Sequence, residues 1–186
     1  MQTNVVNQVW EALSLGASKR KHPFHILNLA YVGESVECCS VVLREYQDGR
    51  IRFHTHKGAP KVAAMQNNPH VCVMGYDPEI KMQVRIKGLV KLHHQDTESA
   101  NQWEEMRDSS KHCYQLPAPG GIYQDPPSPQ ILQANLQANP LIGRDNLVVV
   151  WVEITQLDVL FLHFDGHQRF IIQKQQQSWD IQQIQA

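Results

Sequence analysis

The sequence predicts a mainly β domain, an antiparallel barrel with helices attached around it. Three observations carry that prediction. Short β-rich runs recur at residues 24–32, 36–46, 51–56, 71–76 and 81–93, and again at 147–154, 159–164 and 169–173. Two junctions are Asp-Gly pairs, Asp48-Gly49 and Asp165-Gly166, which tight hairpin turns prefer because their central residues need positive φ. Between Cys39 and Gly88 the chain reads strand, hairpin, helix start and strand without interruption, a succession that favours hairpins over a parallel βαβ sheet.

Taken in order, Val5, Val6, Val9, Trp10 and Leu13 share one helical face, so the first segment packs as an amphipathic helix up to a break at Gly16 and the basic run Lys19-Arg20-Lys21. The first two strands follow. Cys38 and Cys39 are adjacent in the second and face opposite sides. Val41, Val42 and Leu43 lead to Arg44, and after the Asp48-Gly49 turn Ile51 and Phe53 lead to Thr55. Gly58-Ala59-Pro60-Lys61 opens a short helix that Asn67-Asn68-Pro69 closes, since proline suits the first helical position and cannot continue a helix it follows. Free amides at that helix start, beside Lys61, can hold a phosphate.

Residues 98–106 form a further helix, whereas residues 115–130, with five prolines and a Gly-Gly pair, form an extended loop. A glutamine-rich stretch at 131–138 precedes the last strands, and the glutamine run at 175–177 is a solvated turn.

At 186 residues and 42% hydrophobic, the chain makes one domain spanning residues 1–186. Lys plus Arg number 17 against 18 for Asp plus Glu, a balance that argues against nucleic acid or an acidic membrane as a partner. Neither a signal-peptide core nor a membrane-length apolar run is present, so a cytoplasmic protein is expected. Four cysteines, Cys38, Cys39, Cys72 and Cys113, lack the paired spacing of a disulfide framework or a zinc site. His54 and His56 share a strand face and His93, His94, His112, His163 and His167 are scattered, a spacing too weak to predict a metal site. No serine stands in a nucleophile elbow.

These motifs, VVLR, the strand ending in Thr55, the Lys61 helix, MQVRIKG and HQRF, stand in the order found in the FMN-binding split-barrel proteins related to pyridoxamine 5'-phosphate oxidase, which the chain resembles from about Trp10 to its end. The resemblance implies an antiparallel, Greek-key-like split barrel, FMN as cofactor, and a homodimer in which each flavin lies between two chains. It implies phosphate contacts from Lys61 and Thr55, flavin-edge contacts from Gln83 and Arg169, and a charge near cofactor or anionic substrate from Arg44, with His167 a weaker candidate for substrate. Residue type alone leaves alternatives open. Lys61 can be a solvent-facing cation, Thr55 a turn cap, Arg44 the partner of Glu45, Arg169 a strand-surface cation, and Gln83 a buried amide bonded to backbone.

The chain also departs from the family pattern. Cys39, Ala59 and Pro60 stand where arginine, serine and often arginine are usual, which weakens the expected phosphate shell. Asp165 stands where the substrate-phosphate arginine would be, and the region 101–109 differs, so positive charge is expected to be missing there and pyridoxamine-phosphate oxidase activity to be poor. Leu160 takes the place of a tryptophan near the flavin, and the usual Arg-Leu-x-Pro ending is replaced by Gln183-Ile184-Gln185-Ala186. The expected function is hydride transfer between a small organic substrate and flavin, with no side chain distinguished as a general base. The alternatives are a non-catalytic flavin- or haem-binding split-barrel dimer, and a structural dimer with an empty cofactor cleft.

Overall fold

The computed structural model describes residues 2–120, 125–176 and 178–186, leaving part of the expected 115–130 loop and Gln177 outside the described residues. Nine strands form one antiparallel sheet: β1 (Ile26–Val32), β2 (Val36–Val42), β3 (Glu45–Gln47), β4 (Arg50–His56), β5 (His70–Asp77), β6 (Met82–His93), β7 (Leu147–Phe161), β8 (Gln168–Lys174) and β9 (Trp179–Ile184). The order is β2-β1-β5-β6-β7-β4-β3, with β8 added to β7 and β9 to β8. The sheet curls until β2 approaches β4, and the seam between those two strands is the split of a split barrel.

Strand β7 is the spine. It pairs with β6 from Val149 to Phe161, while on its other edge residues 147–153 pair with β4 and residues 156–161 with β8. Between the two halves Thr155 is an extra residue, because Lys87 opposes Gln156 while Gly88 opposes Ile154. Such a bulge shifts the inward face by one residue. Val148, Val150, Val152 and Ile154 face the barrel core before it, and Leu157, Val159 and Phe161 after it. A smaller core forms on the opposite face of the first half, where Leu147, Val149 and Trp151 meet Trp103, Tyr114 and Leu136.

Five helices surround the barrel. Helix α1 (Gln2–Ser18) buries Val5, Val6, Val9, Ala12 and Leu13, as its apolar periodicity dictates. It runs past Gly16 rather than breaking there. A Cβ at that glycine would come 2.6 Å from the Phe24 carbonyl oxygen, so the glycine serves close approach of the helix to the next turn. Helix α2 (Pro60–Asn67) begins with proline at its first position and ends before Pro69, as the sequence predicts. Helix α3 (Thr97–Glu105) starts from a reciprocal capping pair, Asp96 accepting from Ser99 N at 2.9 Å and Asp96 N donating to Ser99 Oγ at 3.0 Å. Helix α4 (Asp108–Lys111) is a single turn. Helix α5 (Pro129–Ala138) occupies the glutamine-rich stretch, with Ser128 as its cap and Leu132 and Leu136 buried.

The sequence expectations differ from the fold in three places among the strands, and helices α4 and α5 were not expected either. Residues 36–46 divide into β2 and β3, 147–154 and 159–164 join into the bulged β7, and β9 was not expected. The Asp48-Gly49 hairpin is as expected, with φ of 49° and 74°.

Gly88 faces the bulge so closely that a Cβ there would lie 2.5 Å from both the Glu153 carbonyl oxygen and Val152 Cγ1. Gly88→Ala is therefore expected to destabilise the chain by about 1–3 kcal/mol through overpacking, read as a lower urea midpoint. An unchanged midpoint would mean that β6 and β7 separate freely at the bulge.

Candidate functional site

The structure distributes the sequence-predicted residues over three places. The first is the seam between β2 and β4. Thr55, near the end of β4, points inward and is 9% exposed. Cys39 on β2 shares the inward side with its fully buried partner Leu29. Lys61, in the first turn of α2, lies beside the Cys39 thiol. Burial raises that thiol's pKa, and the Lys61 charge and hydrogen bond oppose the rise. Lys61 thus points at the position where arginine is usual in the family. The backbone share of this corner is smaller than the sequence predicts. Gly58 N donates to His56 Nδ1 at 3.0 Å, Ala59 N to the His56 carbonyl at 2.9 Å and Val62 N to the Ala59 carbonyl at 2.9 Å, so these amides are occupied within the chain.

The second place is the outward face of the sheet, where Gln83, Leu160 and Arg169 stand side by side across β6, β7 and β8. Gln83 is half-buried on this face rather than enclosed among its apolar neighbours. One position along, Asp158 is 5% exposed and holds two arginines. Arg169 donates to it twice, Nε to Oδ1 at 2.9 Å and Nη2 to Oδ2 at 2.8 Å, and Arg85 Nη2 donates to Oδ2 as well. Burial works to raise the Asp158 pKa, but the hydrogen bonds and charges of Arg169 and Arg85 outweigh it and hold the carboxyl below the usual range. Arg169 is thereby fixed in direction, with Nη1 left over for another acceptor. His167 lies in the exposed turn between β7 and β8, as does Asp165.

The third place is a cleft of about 760 Å³ between the end of α1, the β2–β3 link, β4 and the α3–α4 link. Arg44 opens into it, together with Arg20, Arg52, Arg107, His25 and His54. Arg44 does not pair with Glu45. Glu45 is taken by Arg52 at 2.7 Å, and Arg52 also lies 3.6 Å from Glu98 and packs its guanidinium over Trp151 at 5.2 Å. His54 Nε2 and Arg52 Nε are buried with no partner on the described chain. Burial first, then the charges of Arg52 and Arg44, push the His54 pKa down to about 3, so its ring is neutral at physiological pH. His56, on the same strand face, is tied to Leu116 and Gly58 and stacks on Tyr114.

Sequence reasoning passed over this cleft. Its clearest trace was the alternation Arg50, Arg52, His54 on one face of β4, a polar face on a strand whose other face is core. Arg107 brings a cation into the cleft, with Ser109 beside it, and Asp165 is not among its lining residues.

A curled antiparallel sheet, open along one seam and flanked by helices, defines the split-barrel class. Two solved structures of that class are similar over nearly the whole chain. A pyridoxamine 5'-phosphate oxidase-related, FMN-binding protein from Nostoc punctiforme has a TM-score of 0.78 at 21% identity, covering 97% of this chain and 96% of that one. PhzG from Burkholderia lata, solved with tetrahydrophenazine-1-carboxylic acid, has a TM-score of 0.74 at 16% identity, covering 100% and 93%. At sequence level, residues 29–138 match the family model for pyridoxamine 5'-phosphate oxidase, and the chain belongs to that family. The pyridoxine/pyridoxamine 5'-phosphate oxidase of Chromobacterium violaceum is 36% identical over 64 residues, a match that spans 33% of this chain and 30% of that protein.

The neutral His54 has a measurable consequence. Its folded pKa of about 3 lies below the ordinary 6.5, so its contribution is complete above pH 6.5 and is lost as the pH falls towards 3. In that window the unfolded chain binds a proton that the folded chain refuses, at about 1.4 kcal/mol per pH unit. His54→Gln is expected to flatten the fall in urea midpoint on going from pH 6.5 to pH 4.5. Parallel slopes for the two proteins would show that His54 protonates freely in the folded state.

Proposed function

We propose that two copies of the chain form an FMN-dependent oxidoreductase that transfers a hydride between a small anionic organic substrate and the flavin. The observation that carries this reading is the row Gln83, Leu160, Arg169. It sets an amide and a fixed guanidinium on either side of an apolar side chain, a surface suited to a flat apolar ring with a polar edge.

The seam residues supply a different part of the same ligand. Lys61 would neutralise phosphate charge, with Thr55 as a second donor near it. FMN, when bound, supplies the hydride-accepting ring. This chain's residues orient that ring, through Gln83 and Arg169 at its edge, and Asp158 keeps Arg169 aimed.

The two groups of residues lie on opposite faces of one sheet, with β1 and β5 between β2 and β6, about 14 Å at the usual strand spacing. Within a single chain the packed sheet stands between them, so one flavin does not contact both. A second copy, facing the first, resolves this by bringing its Gln83 and Arg169 to the other's Lys61. The outward face also carries Val36 at 79% exposure, Ile26 at 49%, Val32 at 47% and Tyr76 at 42%, an apolar surface that favours association. The substrate pocket in this reading is the basic cleft, which shares β4 with Thr55 and follows directly on β2 through Arg44. PhzG's carboxylic-acid ligand is consistent with an anion there.

Lys61→Ala is expected to weaken FMN binding by about 1.5–3 kcal/mol, the range for a hydrogen bond to a charged group, and riboflavin binding much less. Flavin fluorescence titration of both ligands reads the difference. Equal losses would assign Lys61 to folding, and no loss would put the phosphate elsewhere.

Sedimentation at micromolar concentration is expected to show a dimer. A monomer that binds one FMN per chain would refute the shared site.

A further inference from the structure

The basic cleft carries unbalanced positive charge. Four arginines, Arg20, Arg44, Arg52 and Arg107, line it against one acid, Glu105. Arg52 is already committed to Glu45 and Glu98. Arg20, Arg44 and Arg107 have no acidic partner among the described residues, so the cleft retains an excess of positive charge.

These cations come from three separate elements, α1's end, the β2–β3 link and the α3–α4 link, so the fold itself brings like charges together. Arg20, Arg44 and Arg107 are exposed to solvent and stand around a concavity large enough for a drug-sized molecule, whose walls include the apolar side chains of Ala17, Ile26, Val42 and Met106. An inorganic ion would satisfy the charge but leave those walls uncovered. A monocarboxylate would cover the walls but match only one of the free guanidiniums. Arginine binds carboxylate and phosphate oxygens bidentately, so each added anionic group finds a ready fork.

We infer that the cleft selects an organic ligand with at least two anionic groups on a short carbon frame, either a polycarboxylate or a phosphorylated carboxylic acid. As a statement about substrate, this rests on the flavin-enzyme reading; as a statement about binding, it does not. The two therefore fail separately, the first by FMN titration and the second by anion titration.

Calorimetric titrations of the full chain, with and without FMN, would use butyrate, glutarate and propane-1,2,3-tricarboxylate as one series, and glycerol 1-phosphate and 3-phosphoglycerate as a second. The expected result is binding of glutarate or the tricarboxylate at least about tenfold tighter than butyrate, or of 3-phosphoglycerate at least about tenfold tighter than glycerol 1-phosphate. The series showing the larger gain identifies the source of the second charge. Arg107→Met and Arg20→Met are each expected to lower that affinity about tenfold or more, with unchanged far-UV circular dichroism. Equal affinity for probes with one anionic group and probes with two or more would overturn the inference. So would undiminished binding in both variants, or no binding of any multiply charged probe up to about 10 mM.

Discussion

The fold and its site both depend on the extra residue at Thr155. A regular strand from Leu147 to Phe161 would keep its even-numbered residues inward throughout, and Asp158 and Leu160 would then point into the barrel core. With the bulge in place, inward positions pass from even to odd numbers, so Val159 and Phe161 enter the core and Asp158 and Leu160 emerge on the outward face. Thr155 Oγ1 donates to the Lys87 carbonyl at 3.1 Å, on the partner strand where the pairing shifts. Gly88 permits the close approach of the strands at the same point. The change of edge partner from β4 to β8 occurs there as well, so one local irregularity hands the spine from one neighbour to the next and presents the candidate flavin-facing row.

Two buried ion networks then fix the surfaces on either side of the spine. Asp158 is tolerated at 5% exposure because two arginines and three hydrogen bonds compensate its desolvation. Its outcome is a guanidinium with one preferred direction rather than a mobile cation. Arg52 plays the corresponding part at the cleft. Its contacts to Glu45 and Glu98, and Trp151 Nε1 donating to Glu98 at 3.0 Å, lock β3, β4, β7 and α3 together. Arg52 is thus a wall of the cleft and not a free charge within it. Arg44, one strand away and unpaired among the described residues, is the opposite case.

Much of the β architecture was legible because its signals were local. The Asp48-Gly49 turn, Pro60 at the start of α2 and Pro69 after its end each restrict φ and hydrogen bonding at a single position. Strand β7 read as two strands because its alternation changes phase at the bulge, and periodicity cannot distinguish a phase change from a break. Strand β9 alternates Trp179 and Ile181 with Asp180 and Gln182, but Gln183 and Ile184 break the alternation after four residues, so the apolar signal was too short to detect. Helix α5 was the clearer loss. Ser128, Pro129 at the first helical position and Leu132 four residues before Leu136 were all readable, but the prolines upstream outweighed them. At the site, Lys61, Gln83 and Arg169 followed from ordered motifs, whereas the cleft joins residues 20, 44, 52 and 107 through tertiary packing that no local pattern encodes.

The division of the candidate site between two faces gives the departures at Cys39, Ala59 and Pro60 a specific physical meaning. Phosphate affinity in such a corner is set by cations and by unoccupied amides, and here the amides of Gly58, Ala59 and Val62 are consumed by the turn itself. Lys61 is left as the principal electrostatic contact at the seam, held close to a thiol whose burial disfavours ionisation and so does not offset the lysine's charge. A ligand bound there would owe more to Gln83, Leu160 and the fixed Arg169 of a facing copy than to its phosphate. Association of two chains and binding of the flavin are then thermodynamically linked in the proposed assembly, because each completes the surface that the other needs.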